Sequence, residues 1–296
     1  MTNRVVLIGH PVAHSFSGGM QQAAFDALGI DARYELWDRR LIDLAAAVES
    51  LRADEFLGAN VTIPHKEHVA PMMDSLTEEA AATGAVNVIS RDGSRLVGHN
   101  TDVPGFRTAL DKLVGRQRMP RHAVVLGAGG AARAVLYTLI TGGFQRVVVF
   151  NRHLHRGEAV VKHFGRSASH MDLRAMPWHE SVLEAELAKT KLVVNATSVG
   201  MRPGETPIPA PLIPADLLVM DLIYNPSESQ LLKDAAAAGC GVMNGELMLL
   251  TQGAKAFELW TGQPAPLEVM QAELVRAREQ GLRPMPVDGG PSAVRP

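Results

Sequence analysis

At 296 residues the chain is long enough for two domains. A net charge of −2 and the lack of any long basic stretch argue against nucleic acid or an anionic membrane as partner. A single cysteine, Cys240, excludes an internal disulfide framework and fits a reducing compartment; no stretch reaches the roughly 18 apolar residues of a membrane helix.

The opening "MTNRVVLIGHPVAHS" has one short apolar run and no signal-peptide core, so a cytoplasmic location is expected. The run at 4–9 reads as a strand stopped by Gly9 and Pro11, and 18–29 as a helix closed by Gly29. A strand at 33–37, a helix at 41–51 and a strand at 57–63 follow, the last ended by Pro64. A helix is expected over 75–85, then a hairpin turning at Asp92-Gly93. Near residue 104 the strands become continuously apolar, as buried parallel strands require. They are expected at 123–126, 146–150, 192–196, 217–223 and 241–244, with helical patterns at 104–114, 131–141, 155–164 and 227–238. Two helices, 246–262 and 266–281, precede a Pro- and Gly-rich stretch at 283–296 that reads as a disordered tail.

Between the strand at 123–126 and its helix stands Gly127-x-Gly129-x-x-Ala132. The first glycine permits a tight turn and the second lets backbone approach a pyrophosphate. The third small residue lets helix and strand pack closely. Phosphates would then sit over free N–H groups at a helix N-terminus. After the next strand, where a cofactor lacking a 2′-phosphate usually meets a carboxylate, the chain has Asn151, Arg152 and Arg156. Arginine can pair with the extra phosphate, so the spacing favours NADP over NAD. The alternative is a solvated helix start.

Ser15 and Ser17 in "HSFS" open a helix, where hydroxyls either cradle an anion or simply cap. In "NVTIPHKEH", Pro64 reads as the first helical residue, which puts Lys66 in a helix's first turn. A cation there faces the positive end of the dipole, a poor place for a merely stabilising charge; the alternative is a solvated surface lysine. His65 and His68 have no third ligand in evident register, so no metal is expected. Asp102 ends "GHNTD" at the domain junction, where it is either a functional carboxylate or a cap for the helix at 104–114.

Taken in order, "GHPVAHSFS", "GANVTIPHKE", "GAVNV", "GHNTD", "LGAGGAARAV", "NR", "NATSVGM", "DLIYNP" and "NGELMLLTQGAKAFELWTG" resemble the shikimate dehydrogenase family over residues 4 to 280. The resemblance implies an α/β fold in two parts. The first is an N-terminal α/β catalytic domain, 1–103, completed by C-terminal helices at 246–282. The second is a Rossmann-type doubly wound NADP-binding domain, 104–245, with the site in the cleft between them. It implies NADPH-dependent, reversible reduction of 3-dehydroshikimate to shikimate in aromatic amino-acid biosynthesis, by a monomer or homodimer. Lys66 and Asp102 match the catalytic pair. Ser15, Ser17, Asn60, Thr62, Asn87, Tyr224 and Gln252 match substrate-binding positions. Gly127, Ala128, Gly129, Gly130, Ala131, Asn151, Arg152, Arg156, Thr197 and Gly245 match cofactor-binding positions.

The chain departs from the family pattern at Gly18, Gly19 and Gln22, at His153, where Thr or Ser is frequent, and at Val88. Two competing readings are an NAD-dependent quinate/shikimate dehydrogenase and a catalytically silent dinucleotide-binding regulator. The serine pair favours shikimate over quinate. The intact Lys66 and Asp102 argue against the regulator.

Overall fold

Val- and Ile-rich runs become strands because β-branched side chains fit a pleated, buried surface. The protein is described from a computed structural model, which covers residues 2–282 and 287–288. It divides into two units, one running up to Thr101 and resuming at Leu250, the other Asp102–Leu249.

The first unit contains β1 (Asn3–Gly9), α1 (Ser17–Ala27), β2 (Ala32–Asp38), α2 (Leu44–Ser50), β3 (Phe56–Val61), α3 (Lys66–Val69), β4 (Ser75–Leu76), α4 (Glu78–Thr83), β5 (Val88–Asp92) and β6 (Arg95–His99). The second contains α5 (Asp102–Val114), β7 (His122–Leu126), α6 (Gly130–Thr141), β8 (Arg146–Phe150), α7 (Leu154–Phe164), β9 (Asp172–Met176), α8 (Glu180–Leu187), β10 (Leu192–Asn195), β11 (Leu218–Asp221), α9 (Gln230–Ala237) and β12 (Gly241–Met243). From Leu250 on, α10 (Glu246–Thr261) belongs to the first unit, with α11 (Leu267–Gln280) and β13 (Val287–Asp288).

The second unit's sheet runs β12-β11-β10-β7-β8-β9, every pair parallel. This is the doubly wound order, which reverses between β7 and β10. Ala123 and Val125 of β7 enter one core with α5, α6 and α7, while Val124 and Leu126 enter the other with α8 and α9. Burial of both faces explains the unbroken apolar runs.

In the first unit the order is β13-β2-β1-β3-β5-β6-β4. One face packs on α2 through Val6, Ile8, Leu44 and Val48. Against the other lie aromatic residues of α1 and α10. Phe25 and Phe257 have ring centroids 5.2 Å apart, Tyr34 and Trp260 6.4 Å. Trp260 Nε1–H donates to the Ile89 carbonyl (3.0 Å). Only a glycine fits beneath that ring, since a Cβ on Gly58 would stand 2.1 Å from Ile89 O and 2.7 Å from Trp260 Nε1.

Two departures from the family pattern have a packing reason. A Cβ on Gly19 of α1 would lie 2.8 Å from Oε1 of Glu273 on α11, a buried carboxylate paired with Arg276 at 2.8 Å. Gln22 reaches the outer edge of β2, accepting the Tyr34 N–H (2.9 Å) and donating to the Ala32 carbonyl (3.2 Å). It covers the stretch of that edge preceding the residues paired with β13.

Several expectations need correction. The helix expected over 75–85 is β4 followed by α4, because Thr77 takes an extended conformation as N-cap. The hairpin turns one residue later than expected. Asp92 pairs with Arg95, so Gly93 and Ser94 are the loop, and Gly93 takes φ 61°. Pro64 is not the first helical residue, since His65 is the N-cap and α3 starts at Lys66. Asp102 is not a residue preceding its helix but the first residue of α5. Strand β9 and helix α8 were not anticipated; β9 is an edge strand whose residues stay partly exposed, so it lacks an apolar signature. Val287 and Asp288 of the expected tail pair in parallel with Leu36 and Trp37, while the rest of 283–296 lies outside the described residues. No helix among the described residues is long and apolar enough to cross a membrane.

Asp221, the last residue of β11, is fully buried. It accepts from Asn195 Nδ2 (3.0 Å), the Ile223 N–H (3.1 Å) and the Ser229 hydroxyl (2.6 Å). Desolvation outweighs these bonds, and its pKa is pushed up from 3.8 to about 6.

Two expectations follow for stability. Gly58→Ala should cost about 1–3 kcal/mol through overpacking; an unchanged urea midpoint would show that Trp260 yields freely. For Asp221, the folded state holds the proton more tightly than the unfolded chain, so this group's contribution to stability is greatest at low pH and falls as pH rises from about 4 to 6. At about 1.4 kcal/mol per pH unit the loss is on the order of 3 kcal/mol. Asp221→Asn should remove it, so the variant gains on the wild type across that range. Parallel stability–pH curves for the two proteins would contradict this.

Candidate active site

In the first unit the candidate residues converge because of strand direction. β1 and β3 are parallel, with Ile8 opposite Val61. β5 runs antiparallel to β3, and β6 to β5, so the residue before β5 and those after β6 reach the same edge. That edge carries Ser15 and Ser17 after β1, Thr62 and Lys66 after β3, Asn60 at the end of β3, and Asn87 before β5.

Hydrogen bonds fix several of these side chains. Tyr34 OH donates to Asn60 Oδ1 (2.7 Å), and Asn60 Nδ2 donates to the Asn87 carbonyl (3.3 Å). Asn87 Nδ2 donates to Thr101 Oγ1 (2.9 Å) and to Gln252 Oε1 (3.2 Å), while its Oδ1 accepts the Thr101 N–H (2.7 Å). Asn60, Asn87 and Gln252 are all buried. Ser15 Oγ accepts the Ser17 N–H (3.3 Å), so a share of the capping role is real. Ser17 itself is buried.

Lys66 is half-buried, and its carbonyl accepts the Val86 N–H (2.8 Å), tying α3 to the residue before Asn87. The preceding His65 is fully buried and pairs through Nε2 with the Arg39 carbonyl (2.7 Å). His68 instead uses Nδ1 toward the Pro64 carbonyl (3.2 Å). Each imidazole therefore serves its own backbone carbonyl. Among the described residues no group of three or more His, Cys, Asp or Glu could hold a metal ion. Asp102, buried at the start of α5, and Tyr224, half-buried after β11, belong to the second unit.

The second unit's candidates cluster at its switch point, where ligands of doubly wound sheets bind. Gly127 takes φ 106° and donates its N–H to the Phe150 carbonyl (2.7 Å). A Cβ there would stand 2.9 Å from Ala196 O and 3.1 Å from Thr197 Cγ2, so the turns after β7 and β10 touch. Gly129 is the N-cap of α6, and a Cβ on it would meet nothing within 4 Å. The first N–H groups of a helix have no intrahelical acceptor. Those of Gly130 and Ala131, beside the turn of Gly127 and Ala128, are thus donors of the kind that binds anions at helix N-termini. Ala132 is fully buried in the core.

Beyond β8, Asn151 Nδ2 donates to the His153 carbonyl (2.9 Å), shaping the turn into α7. Arg152, His153 and Arg156 are exposed there, and the rings of His153 and His155 lie 5.8 Å apart. Gly245 has a packing role: a Cβ on it would be 2.1 Å from the Leu222 carbonyl oxygen.

Sequence reasoning missed Tyr34 and Thr101, which hold Asn60 and Asn87; Asn195, which holds Thr197; and Asp221 and Ser229, which pair with each other behind Asn195. A polar residue ending an apolar run, as Asn195 and Asp221 do, was the available signal.

Three family models match: the shikimate dehydrogenase substrate binding domain over residues 7–89, shikimate / quinate 5-dehydrogenase over 110–200, and the shikimate 5′-dehydrogenase C-terminal domain over 245–275. The shikimate dehydrogenase (NADP(+)) of Moorella thermoacetica is 41% identical over 296 residues, covering 99% of this chain and 98% of that protein. The crystal structure of shikimate 5-dehydrogenase from Thermus thermophilus, in complex with NADP(H) and shikimate, aligns with a TM-score of 0.79 at 40% identity, covering 93% of this chain and 99% of that one. Quinate dehydrogenase from Corynebacterium glutamicum, in complex with NAD, aligns with a TM-score of 0.81 at 30% identity, over 93% of this chain and 99% of that one. With identity near 40% over nearly the full length, the chain belongs to the shikimate dehydrogenase family.

Proposed function

We propose that this protein reduces 3-dehydroshikimate to shikimate with NADPH, reversibly, as a cytoplasmic enzyme of aromatic amino-acid biosynthesis. The observation that carries the reading is one sheet edge. There, buried amides on Asn60, Asn87 and Gln252 share a strand-end surface with Lys66 and a serine pair. Amides both donate and accept, which suits a ring bearing several hydroxyls. The first unit is taken as the substrate domain and the second as the dinucleotide domain. The lone thiol of Cys240 suits a reducing compartment.

NADPH, when bound, supplies the hydride. In the reducing direction Lys66 gives a proton to the oxygen of the substrate carbonyl, and in the oxidising direction it takes that proton back from the hydroxyl. Asp102 accepts a hydrogen bond from an adjacent ring hydroxyl. Ser15 and Ser17 hold the carboxylate, with Thr62 and Tyr224 completing the substrate contacts. Arg152 and Arg156 meet the 2′-phosphate, since a guanidinium offers several donors in one plane. Both arginines are exposed residues around the start of α7.

One assay tests the reading: purified protein with shikimate or quinate and NADP or NAD, followed at the nicotinamide absorbance. Shikimate with NADP should be the best pair, and a preference for quinate with NAD would overturn it. Lys66→Ala should lose at least about 10²-fold in kcat with far less change in substrate KM. Near-normal turnover would return Lys66 to an ordinary surface lysine. A charge-assisted phosphate contact is worth about 1.5–3 kcal/mol, roughly ten- to hundredfold. Arg152→Ala should therefore erase most of the preference for NADP over NAD in kcat/KM, and a retained preference would remove the arginine from the phosphate site.

A further inference from the structure

The second unit holds a carboxylate for which the proposed reaction has no use. Asp221 is fully buried, and its Oδ1 accepts from both Asn195 Nδ2 and the Ile223 N–H, while Oδ2 takes the Ser229 hydroxyl. An ionised carboxylate only accepts, so it decides which way a neighbouring amide faces. Asn195 must present Nδ2 to Asp221, and the same nitrogen donates to the Val199 carbonyl (3.0 Å). Asn195 Oδ1 is thereby turned toward the following loop, where it accepts the Thr197 N–H (3.1 Å) and the Thr197 hydroxyl (2.7 Å). Thr197 Oγ1 in turn accepts the Val199 N–H (3.1 Å). The loop so held is the one that touches the glycine turn, with Ala196 O and Thr197 Cγ2 standing 2.9 and 3.1 Å from the position of a Cβ on Gly127.

We propose that Asp221 is a positioning residue for the dinucleotide: acting through Asn195, it sets the Thr197 loop against the Gly127–Gly129 turn and so sets the affinity for NADP. The proposal rests on the reading that this turn holds the dinucleotide. Without an acceptor at 221 the Asn195 amide can rotate, and Nδ2 would then face the Thr197 N–H, donor against donor. Thr197 would lose both of its bonds to Asn195 Oδ1, although no residue placed against the dinucleotide has been replaced. Asn at 221 keeps an acceptor oxygen for Asn195 and Ile223, so it should preserve the arrangement.

The test is calorimetric titration of NADP into the full chain, alongside shikimate KM at saturating NADP and thermal unfolding. The proteins are wild type, Asp221→Ala, Asp221→Asn, Thr197→Val and the Asp221→Ala/Thr197→Val double variant. Asp221→Ala should raise the NADP Kd by about tenfold, the usual effect of losing paired polar contacts, with shikimate KM within about twofold. Asp221→Asn should bind NADP almost as wild type does. The double variant should be no weaker than the weaker single one, because both act through one chain of bonds. The proposal is overturned if Asp221→Ala lowers thermal stability and leaves NADP Kd unchanged. It is also overturned if Kd and shikimate KM rise together, or if the two substitutions add. Should Asp221→Ala not fold, Asn195→Ala, which cuts the link while leaving Asp221 paired with Ser229, carries the same expectation and the same refutation. A wild-type chain that bound no NADP would overturn the functional reading as well. Wild-type binding with unaffected variants would overturn only the role of Asp221.

Discussion

A strand covered on both faces cannot carry an unpaired polar side chain along its length, because stripping water from such a group costs more than the apolar contacts around it provide. That constraint shapes both units. In β7 successive residues from Ala123 to Leu126 enter opposite cores, so that run is apolar, and the same holds for the apolar runs of β8, β10 and β11. Polar chemistry is displaced to the strand ends: Asn151 after β8, and Asn195 and Asp221 at the ends of β10 and β11. Since all these strands are parallel, their ends lie on one edge. In the first unit the antiparallel β5 and β6 add Asn87 and Thr101 to the edge already occupied by Asn60, Thr62 and Lys66.

The two edges solve one problem in one way. Each uses an asparagine whose amide cannot turn over. Asn87 accepts the Thr101 N–H and donates to Thr101 Oγ1 and Gln252. Asn195 accepts from Thr197 twice and donates to Val199 and Asp221. A fully paired buried amide is rigid, because any rotation replaces a bond with a repulsion. The second edge carries an energetic cost that the first does not: a desolvated carboxyl at Asp221, which weakens folding as it ionises.

Departures from the family pattern divide into those with a packing reason and those facing solvent. Gly19 makes room for Glu273, Gln22 occupies the edge of β2, and Val88 is fully buried in β5. None of these three changes the chemistry offered at the strand ends. His153 is different, an exposed residue at the start of α7 between Arg152 and Arg156.

Local patterns in the sequence determined most of the elements, because periodicity, proline and glycine act over a few residues. The glycine turn at 127–129, the run of Asn151 and Arg152, and the lysine after Pro64 were legible for the same reason, as was the family resemblance they belong to. Local patterns failed where partners decide. Edge strand β9 has no buried face to mark it, and β13 exists through pairing with β2. The turn at Gly93-Ser94 was displaced by one residue, since register is set by the facing strand. The contacts that fix the site were beyond sequence reading altogether: Asn87 meets Gln252 across 165 residues. Asp221 and Asn195 stood in plain view as polar ends of apolar runs. Only the neighbouring positions of β10 and β11 in the folded sheet made them a pair, because hydrogen bonding depends on distances in space that chain order does not encode.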